Sequence, residues 1–146
     1  MRQATYRDVG RLAYGVMVWD QELPEFLRTI KGDAELAHRA AEIMVSPKFV
    51  TWVIEEDGDI VAAITIEQNV SLYGFCFYGN VAGVYVLPKY RGQRMLGLRL
   101  LNKAKELKQT LGWSWLFVNP WADDTNTERV LERLGFEESI HTYMLR

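Results

Sequence analysis

The residues best suited to chemistry in this chain lie in a basic, glycine-bearing segment that follows an apolar stretch. The segment runs from Val84 to Gly97 and reads VYVLPKYRGQRMLG. We interpret it as a buried strand that passes through a proline into a turn and then opens a helix. Unpaired backbone N–H groups at a helix N-terminus, together with the helix dipole, attract an anion. Arg91 and Arg94 would add charge-assisted hydrogen bonds, so the pattern predicts a cradle for phosphate groups.

Positive charge is concentrated around this segment, although the whole chain has a formal net charge of −2. Between residues 89 and 108 a single acidic residue, Glu106, faces seven basic ones: Lys89, Arg91, Arg94, Arg99, Lys103, Lys105 and Lys108. The acidic balance of the remainder argues against wholesale nucleic-acid binding. A polyanionic cofactor is therefore the expected partner of this region. An ordinary solvated helix face would explain the last three lysines but explains Arg91 and Arg94 poorly.

The cradle resembles the acyl-CoA pyrophosphate loop of the GCN5-related N-acetyltransferases, the GNAT superfamily, and in particular its small bacterial or phage-encoded members. The family pattern is V-x-P-x-Y-R-G-x-G-x-G/A followed by a leucine-rich helix. Here Arg94 stands at the second usual glycine, and Gly97 comes one position late, as if one residue had been added. Residues 131–136, LERLGF, are similar to the family's closing motif, N-x-x-A-x-x-x-Y-x-x-x-G-F.

The resemblance implies that acetyl-CoA is the cofactor. Residues 84–86 would present backbone groups to the pantetheine arm, as an added strand would, and the same strand's N–H would hold the thioester carbonyl. Residues 91–97 would wrap the pyrophosphate. The cofactor-binding residues so implied are Val84, Tyr85, Val86, Arg91, Gly92, Gln93, Arg94, Met95, Leu96, Gly97, Asn119 and Asn126.

The acid and base depart from the family pattern. The family's tyrosine, often the acid that protonates the departing thiolate, falls on Leu131, and residues 80–83 of the fourth strand carry no carboxylate. Tyr143 is our candidate acid, with Tyr85 as an alternative. Glu67 is the candidate base, acting through a water, although an exposed carboxylate at a strand end is the competing interpretation. A thiol of pKa about 8.5 is a tolerable leaving group even without an acid.

The elements that must position these residues follow from periodicity and turn chemistry. After a short strand at 2–5, Thr5 and Asp8 would cap a helix through about Val18, and helical stretches follow at 24–30 and 34–45. A hairpin is predicted over 49–66 with its turn at 56–59, and a bulge near Gly79 and Gly83. A strand at 81–87, a helix ending at Gly112 and a strand at 113–118 form a parallel crossover. A helix to Leu134 and one or two closing strands over 136–145 complete the chain.

The resulting order β-αα-β-β-β-α-β-α-β is that of the GNAT fold. We therefore expect an α/β (α+β) chain with a central mixed, mostly antiparallel sheet flanked by helices, and a parallel strand-helix-strand crossover at the cofactor site. Residues 1–146 would form a single domain. No apolar run reaches the roughly 20 residues that cross a bilayer, and no signal-peptide core is present, so a cytoplasmic protein is expected. Cys76 is the only cysteine, and no Cys/His cluster has metal-ligand spacing.

The leading functional hypothesis is an N-acetyltransferase that moves an acetyl group from acetyl-CoA to an amine by direct attack. The acceptor would be a small molecule, a protein or a modified base, and an exposed last strand would support a homodimer. By position in the family the acceptor pocket would involve Trp19, Asp20, Glu22, Glu25, Phe26 and Tyr73, which would equally form an ordinary surface. The main alternative is a GNAT-like module that binds CoA or a protein partner without catalysis. Nucleic-acid binding through residues 89–108 is a weaker alternative.

Overall fold

The computed structural model describes residues 1–72, 74–92, 94–120 and 125–138, and the predicted order of elements is confirmed within them. The strands are β1 (Arg2–Gln3), β2 (Phe49–Glu56), β3 (Asp59–Ser71), β4 (Cys76–Val86) and β5 (Trp115–Val118). The helices are α1 (Val9–Glu22), α2 (Ala34–Met44), α3 (Leu96–Thr110) and α4 (Thr125–Arg133). Short 3-10 turns lie at Tyr6–Asp8, Glu25–Leu27 and Pro88–Tyr90.

The five strands form one sheet in the order β1-β2-β3-β4-β5. The first three pairings are antiparallel, whereas β4 and β5 run parallel with α3 between them along the chain. The expected mixed, mostly antiparallel sheet with one parallel crossover is therefore confirmed. The helices cover both faces, since α1 and α2 share an apolar cluster with Val53 and Ala63. On the other face α3 packs over Ile64 and Ile66 through Leu100 and Ala104.

The hairpin between β2 and β3 turns where the sequence predicted it. Asp57 and Gly58 both adopt positive φ, at 53° and 88°, which a tight two-residue hairpin turn requires and which Asp-Gly supplies at little cost. Both strands extend beyond the predicted ends, so that β3 is 13 residues long. The long β3–β4 pair forms the centre of the sheet.

A bulge in β4 decides which side chains face which layer. Thr65 of β3 pairs with Gly83 and Ile66 pairs with Val81, so Ala82 is the extra residue in β4. This matches the bulge expected near Gly83. Beyond it, Gly83 faces Trp19 of α1, whereas Val84 and Val86 pack against the core beneath α3. Consecutive residues of one strand thereby serve two different layers.

The first helical region differs from the prediction. Helix α1 continues to Glu22 instead of ending near Val18, and the predicted helix over 24–30 is reduced to the 3-10 turn Glu25–Leu27. The loop that replaces the predicted second helix is held by Asp20, which is buried and accepts hydrogen bonds from the backbone N–H groups of Thr29, Ile30 and Lys31 at 2.9, 3.0 and 2.9 Å. Those N–H groups are then not free to build a helix.

The end of the chain is described only as far as Glu138. Helix α4 and the stop at Gly135, with φ 82°, agree with the prediction, and residues 136–138 are not in a strand. The rest of the predicted closing strands lies outside the described residues. Within the described part, no helix is both long enough and apolar enough to cross a membrane.

Candidate active site

The central feature of the site is the place where β4 and β5 stop pairing. Their parallel register runs from Tyr78 opposite Trp115 to Val81 opposite Val118. Strand β4 continues to Val86, still paired with β3 on its other side. No described strand pairs with β4 on the β5 side after Val81. A slot therefore opens beside residues 82–86, in which an extended ligand can bond to the strand edge.

Asn119 lies at the head of this slot. Its side-chain amide donates a hydrogen bond to the side-chain oxygen of Asn80 at 3.2 Å. The contact ties the end of β5 to β4 just as the two strands separate. The predicted cofactor residue Asn119 is thus beside the slot, but its amide already has a partner.

The turn that follows β4 brings the predicted cradle to the other end of the slot. Gly92 has φ 73°, and Arg94 and Met95 have φ 51° and 50°. Arg94 occupies a family glycine position, and the structure gives it the left-handed backbone that glycine favours. Among the described residues, no side chain caps the start of α3, and Arg99 N–H bonds to the Met95 carbonyl at 3.0 Å. The N–H groups of Leu96 to Leu98 precede that bond, and N–H groups in this position can receive an anion.

Both arginines of the cradle have glutamate partners. Arg91 lies 2.5 Å from the carboxylate of Glu22 at the end of α1, and its Nε donates to the Val86 carbonyl at 2.9 Å. The hydrogen bond from Arg91 to Glu22 raises the arginine's pKa. Arg94 lies 2.5 Å from Glu56. An arriving phosphate must therefore share or displace a carboxylate at each guanidinium.

Tyr85 lies on the opposite face of β4 from its neighbours Val84 and Val86. Burial, followed by the nearby Glu22 carboxylate, raises the pKa of its hydroxyl to about 12. The Arg91 guanidinium lies 5.6 Å from the centre of the Tyr85 ring. The positive charge of Arg91 lowers the pKa of Tyr85 and so opposes this rise. The Tyr85 hydroxyl nevertheless has no hydrogen-bond partner among the described residues. The hydroxyl is therefore protonated at neutral pH.

Glu67, the candidate base, lies on β3 opposite Asn80 of β4, one strand away from the slot. Its carboxylate is 2.5 Å from the ammonium of Lys48. The hydrogen bond from Lys48, followed by that from Asn69, lowers the pKa of Glu67. The carboxylate of Glu67 is therefore ionised at neutral pH, as a general base must be, and it forms an ion pair with Lys48. Its catalytic role stays a prediction.

The family's tyrosine position is occupied by a core residue. Leu131 is 7% exposed and packs in the cluster under α3, so this position of α4 contributes packing. Asn126 is exposed on the first turn of α4. Three predicted residues lie outside the described part of the chain: Tyr143, which is the candidate acid, Gln93 and Tyr73.

The described residues among those predicted for the acceptor pocket have different contacts in the structure and do not form one pocket. Asp20 holds the loop after α1; burial alone would raise its pKa, but the hydrogen bonds from Ile30, Lys31 and Thr29 outweigh it and lower the pKa. Glu22 pairs with Arg91, and Phe26 is 57% exposed. Trp19 does reach the site, because its ring lies 2.9 Å from the position that a Cβ on Gly83 would occupy.

Sequence reasoning missed a cavity between α1 and the sheet. Its volume is about 130 Å³, and its lining includes Leu12, Gly15, Val16, Trp19, Gly83 and Tyr85. The signal was present in two glycines that line the cavity. Gly15 in the helix leaves space, since a Cβ there would meet no atom within 4 Å, and Gly83 in the strand lets the Trp19 ring lie against the sheet. Nothing in their spacing along the chain shows that they lie on facing surfaces.

A family model described as an acetyltransferase (GNAT) domain matches residues 47–138, more than half of the chain. The matched part contains the slot, the cradle and α4, whereas β1, α1 and α2 precede it. Among proteins with curated functions, none matches this chain.

Solved structures share the fold over nearly the whole chain. A probable acetyltransferase superposes with a TM-score of 0.81 at 18% identity, covering 100% of this chain and 97% of the other. An integron cassette protein from the mobile metagenome of Cole Harbour Salt Marsh gives 0.76 at 26% identity, covering 99% and 88%. AAC(6')-Iy in complex with the bisubstrate analog CoA-S-monomethyl-acetylneamine gives 0.71 at 18% identity, covering 99% and 95%.

Proposed function

Because the chain belongs to the GNAT acetyltransferase family, we propose that it transfers an acetyl group from acetyl-CoA to an amine by direct attack. The observation that carries this proposal is the slot between β4 and β5. It ends at an uncapped helix start that carries two arginines. A ligand with an extended amide arm and a pyrophosphate at one end matches both features together.

The chain's own residues fit such a cofactor. The unpaired edge of β4 at residues 82–86 would hydrogen-bond the pantetheine amides. The N–H groups at the start of α3, with Arg91 and Arg94, would hold the pyrophosphate. When bound, acetyl-CoA supplies the acetyl thioester that is the acyl donor. Of the cofactor residues, Gln93 is a proposal from the sequence alone.

The protein's catalytic contributions follow from the same strand. A backbone N–H on the open edge of β4 would donate to the thioester carbonyl oxygen, where negative charge develops during attack. Glu67, kept ionised by Lys48, would take the ammonium proton through a water. Tyr143 is the proposed acid for the departing thiolate, and Tyr85, protonated at neutral pH, is the alternative.

The decisive experiment is calorimetric titration with acetyl-CoA and with CoA, combined with a free-thiol assay on a panel of amines. We expect micromolar binding by the wild-type protein. The double variant Arg91→Ala/Arg94→Ala should bind at least tenfold more weakly while its thermal unfolding stays cooperative. The matched control is Arg7→Ala/Arg39→Ala, which removes the same charge from two exposed positions away from the slot and should bind as the wild type does.

The outcomes separate the enzyme from its main rival. Thiol release that depends on an amine and disappears in the cradle variant supports the acetyltransferase. Binding of acetyl-CoA with no turnover on any amine would favour a CoA-binding module, for which the buried Leu131 at the tyrosine position is the favouring observation. Absence of heat and of any thermal shift at millimolar acetyl-CoA would overturn the proposal.

A further inference from the structure

The cavity between α1 and the sheet lies against the part of β4 that lines the slot. Ala82 and Gly83, the first residues of β4 after its pairing with β5 ends, contribute to its wall. Trp19 and Val16 of α1 form the opposite wall. The cavity thus begins beside the proposed position of the thioester and extends under α1, away from the layer that contains α3.

The lining is apolar, and two of its polar side chains are already paired. The guanidinium of Arg11 contacts the carboxylates of Asp8 and Glu55. The hydroxyl of Thr65 lies 3.1 Å from that of Thr51. The polar groups of both side chains are thus already bonded within the protein. A charged group would be poorly accommodated inside this cavity.

Tyr85 is different, because its hydroxyl oxygen is buried and has no hydrogen-bond partner among the described residues. A buried, unpaired hydroxyl is costly, and native proteins usually satisfy such groups with protein atoms, water or a ligand. Tyr85 lines the cavity together with Trp19 and Gly83. The cavity therefore offers one hydrogen-bonding group on an otherwise apolar surface, which is typical of a small-molecule site.

Two glycines set the size of the space. A Cβ on Gly15 would meet no atom within 4 Å, and Gly83 lets Trp19 lie directly against β4. The volume of about 130 Å³ is close to that of an engineered apolar cavity that admits benzene, about 150 Å³. A six-membered ring or a branched aliphatic group fills such a volume, whereas a sugar would bring unpaired hydroxyls into it.

We infer that the acceptor amine carries a compact apolar group, the size of a small ring or a branched aliphatic side chain, which enters this cavity beside Tyr85. The inference rests on the proposed acetyl transfer and narrows its acceptor. The cavity lies on the α1 side of β4 and is lined by Gly83 and Tyr85. Val84 and Val86 alternate with these residues along the strand and so face the other layer. The cavity therefore receives a group that approaches from the α1 side, and the acyl-CoA arm remains in the slot.

The test compares amines of graded size in a variant that fills the cavity. Gly15→Leu places a side chain where no atom lies within 4 Å of the Cβ. Gly10→Leu is the matched control, because Gly10 lies in the same helix, is exposed and also has no atom within 4 Å of a Cβ, but does not line the cavity. Turnover of ethylamine, 3-methylbutylamine and benzylamine is measured by thiol release.

The wild type should acetylate benzylamine and 3-methylbutylamine with kcat/KM at least tenfold above that for ethylamine. Gly15→Leu should abolish this preference, whereas Gly10→Leu should leave the kcat/KM of all three amines within about twofold of the wild type. Equal rates for the three amines, or a preference that survives in Gly15→Leu, would overturn the inference and leave the acetyltransferase proposal intact. If Gly15→Leu does not fold, Gly15→Ala replaces it and Gly10→Ala is its control. The smaller side chain fills less of the cavity, so the preference should be reduced in Gly15→Ala and unchanged in Gly10→Ala.

A binding measurement separates failure of the inference from failure of the proposed function. Saturation-transfer NMR with benzylamine and no cofactor should show contact with the wild type and with Gly10→Leu, and none with Gly15→Leu. That pattern without turnover of any amine would support the cavity and count against the enzyme. If Gly15→Leu instead slows transfer from butyryl-CoA to ethylamine but not from acetyl-CoA, the cavity holds the acyl chain and the acceptor assignment is wrong.

Discussion

Arg91 and Glu22, 69 residues apart in sequence, form an ion pair of 2.5 Å that joins the turn after β4, the predicted cradle, to the end of α1. The same arginine bonds to the Val86 carbonyl and lies over the Tyr85 ring. One side chain thereby contacts the edge of the slot, the mouth of the cradle and the helix that covers the cavity. If CoA binds as proposed, its pyrophosphate would compete with a carboxylate on α1 for this guanidinium.

This competition gives a first prediction. Glu22→Gln should strengthen CoA binding, because Arg91 no longer exchanges a carboxylate for the pyrophosphate. Exposed ion pairs contribute about 0.2–1 kcal/mol, so we expect Kd to fall by about two- to fivefold in calorimetric titration. Glu35→Gln, which removes the exposed partner of Arg39 on α2, is the control and should leave Kd unchanged. A higher Kd of CoA for Glu22→Gln than for the wild type would contradict this prediction and would mean that Glu22 orients Arg91 to bind CoA.

The left-handed backbone at Met95 gives a second prediction. Met95 has φ 50° and ψ 43° and a side chain that is 67% exposed, so it contributes little packing. At such a position glycine avoids a steric cost of about 1 kcal/mol that alanine retains. Met95→Gly should therefore exceed Met95→Ala in free energy of unfolding by about 1 kcal/mol, measured by urea denaturation. The order should reverse at the exposed, helical Arg99, where Arg99→Gly should be less stable than Arg99→Ala by about 1 kcal/mol.

Tyr85→Phe should stabilise the ligand-free protein. The substitution removes a buried hydroxyl that has no partner among the described residues and keeps the ring in place. We expect the free energy of unfolding to rise by about 1 kcal/mol, and the change should be constant from pH 6 to 9 because the hydroxyl's pKa is about 12. Loss of stability would show that the hydroxyl has a partner, such as a bound water.

The candidate base gives a kinetic prediction with an internal control. Glu67→Gln should lower kcat by about 10²-fold or more if Glu67 accepts the proton. Lys48→Met removes the partner that lowers the Glu67 pKa, so that pKa should move back toward its ordinary value of about 4.3. Glu67 then remains ionised at pH 7.5, and kcat there should change by less than about threefold. A similar fall in kcat in both variants would indicate that turnover depends on the Lys48–Glu67 ion pair and that Glu67 does not act as the base.

A buried carboxylate near the N-terminus sets the response to acid. Asp8 is 1% exposed and accepts hydrogen bonds from Arg2 at 2.7 and 2.8 Å and from Thr5 N–H at 2.8 Å. The hydrogen bond from Arg2 comes first among the causes that hold the pKa of Asp8 well below its usual range. A depressed pKa stabilises the fold above the unfolded value of about 3.9 and loses that effect as the pH falls below it.

Asp8→Asn should therefore cost about 2 kcal/mol at pH 7, and less at pH 3.5, where the wild type has begun to lose the same contribution. Urea unfolding at the two pH values measures this difference. Asp59→Asn, at the exposed end of the hairpin turn, should stay within about 0.5 kcal/mol of the wild type at both. An equal loss for Asp8→Asn at pH 7 and pH 3.5 would contradict the assigned linkage.

Local rules were sufficient for the elements whose signals are local. The hairpin at Asp57-Gly58 followed from turn chemistry. Helix α2 followed from the Asp33 cap, whose side chain accepts from Glu35 and Leu36 N–H at 2.9 and 3.1 Å, and the turn into α3 followed from one segment. The loop after α1 did not follow, because a buried carboxylate, Asp20, binds the backbone nine to eleven residues later. Such a contact leaves no periodicity in the sequence.

The sequence by itself determined the family, the order of strands and helices, and the segment that would hold a pyrophosphate, because each depends on neighbouring residues and backbone preferences. Only the tertiary structure decided which groups meet across the fold. It paired Arg91 with Glu22, placed Lys48 beside Glu67 and buried Leu131. It also placed Gly15 of α1 and Gly83 of β4 in the wall of one cavity beside Tyr85. Those relations depend on how helices lie against a sheet, and packing of distant surfaces is not encoded in the spacing of residues along the chain.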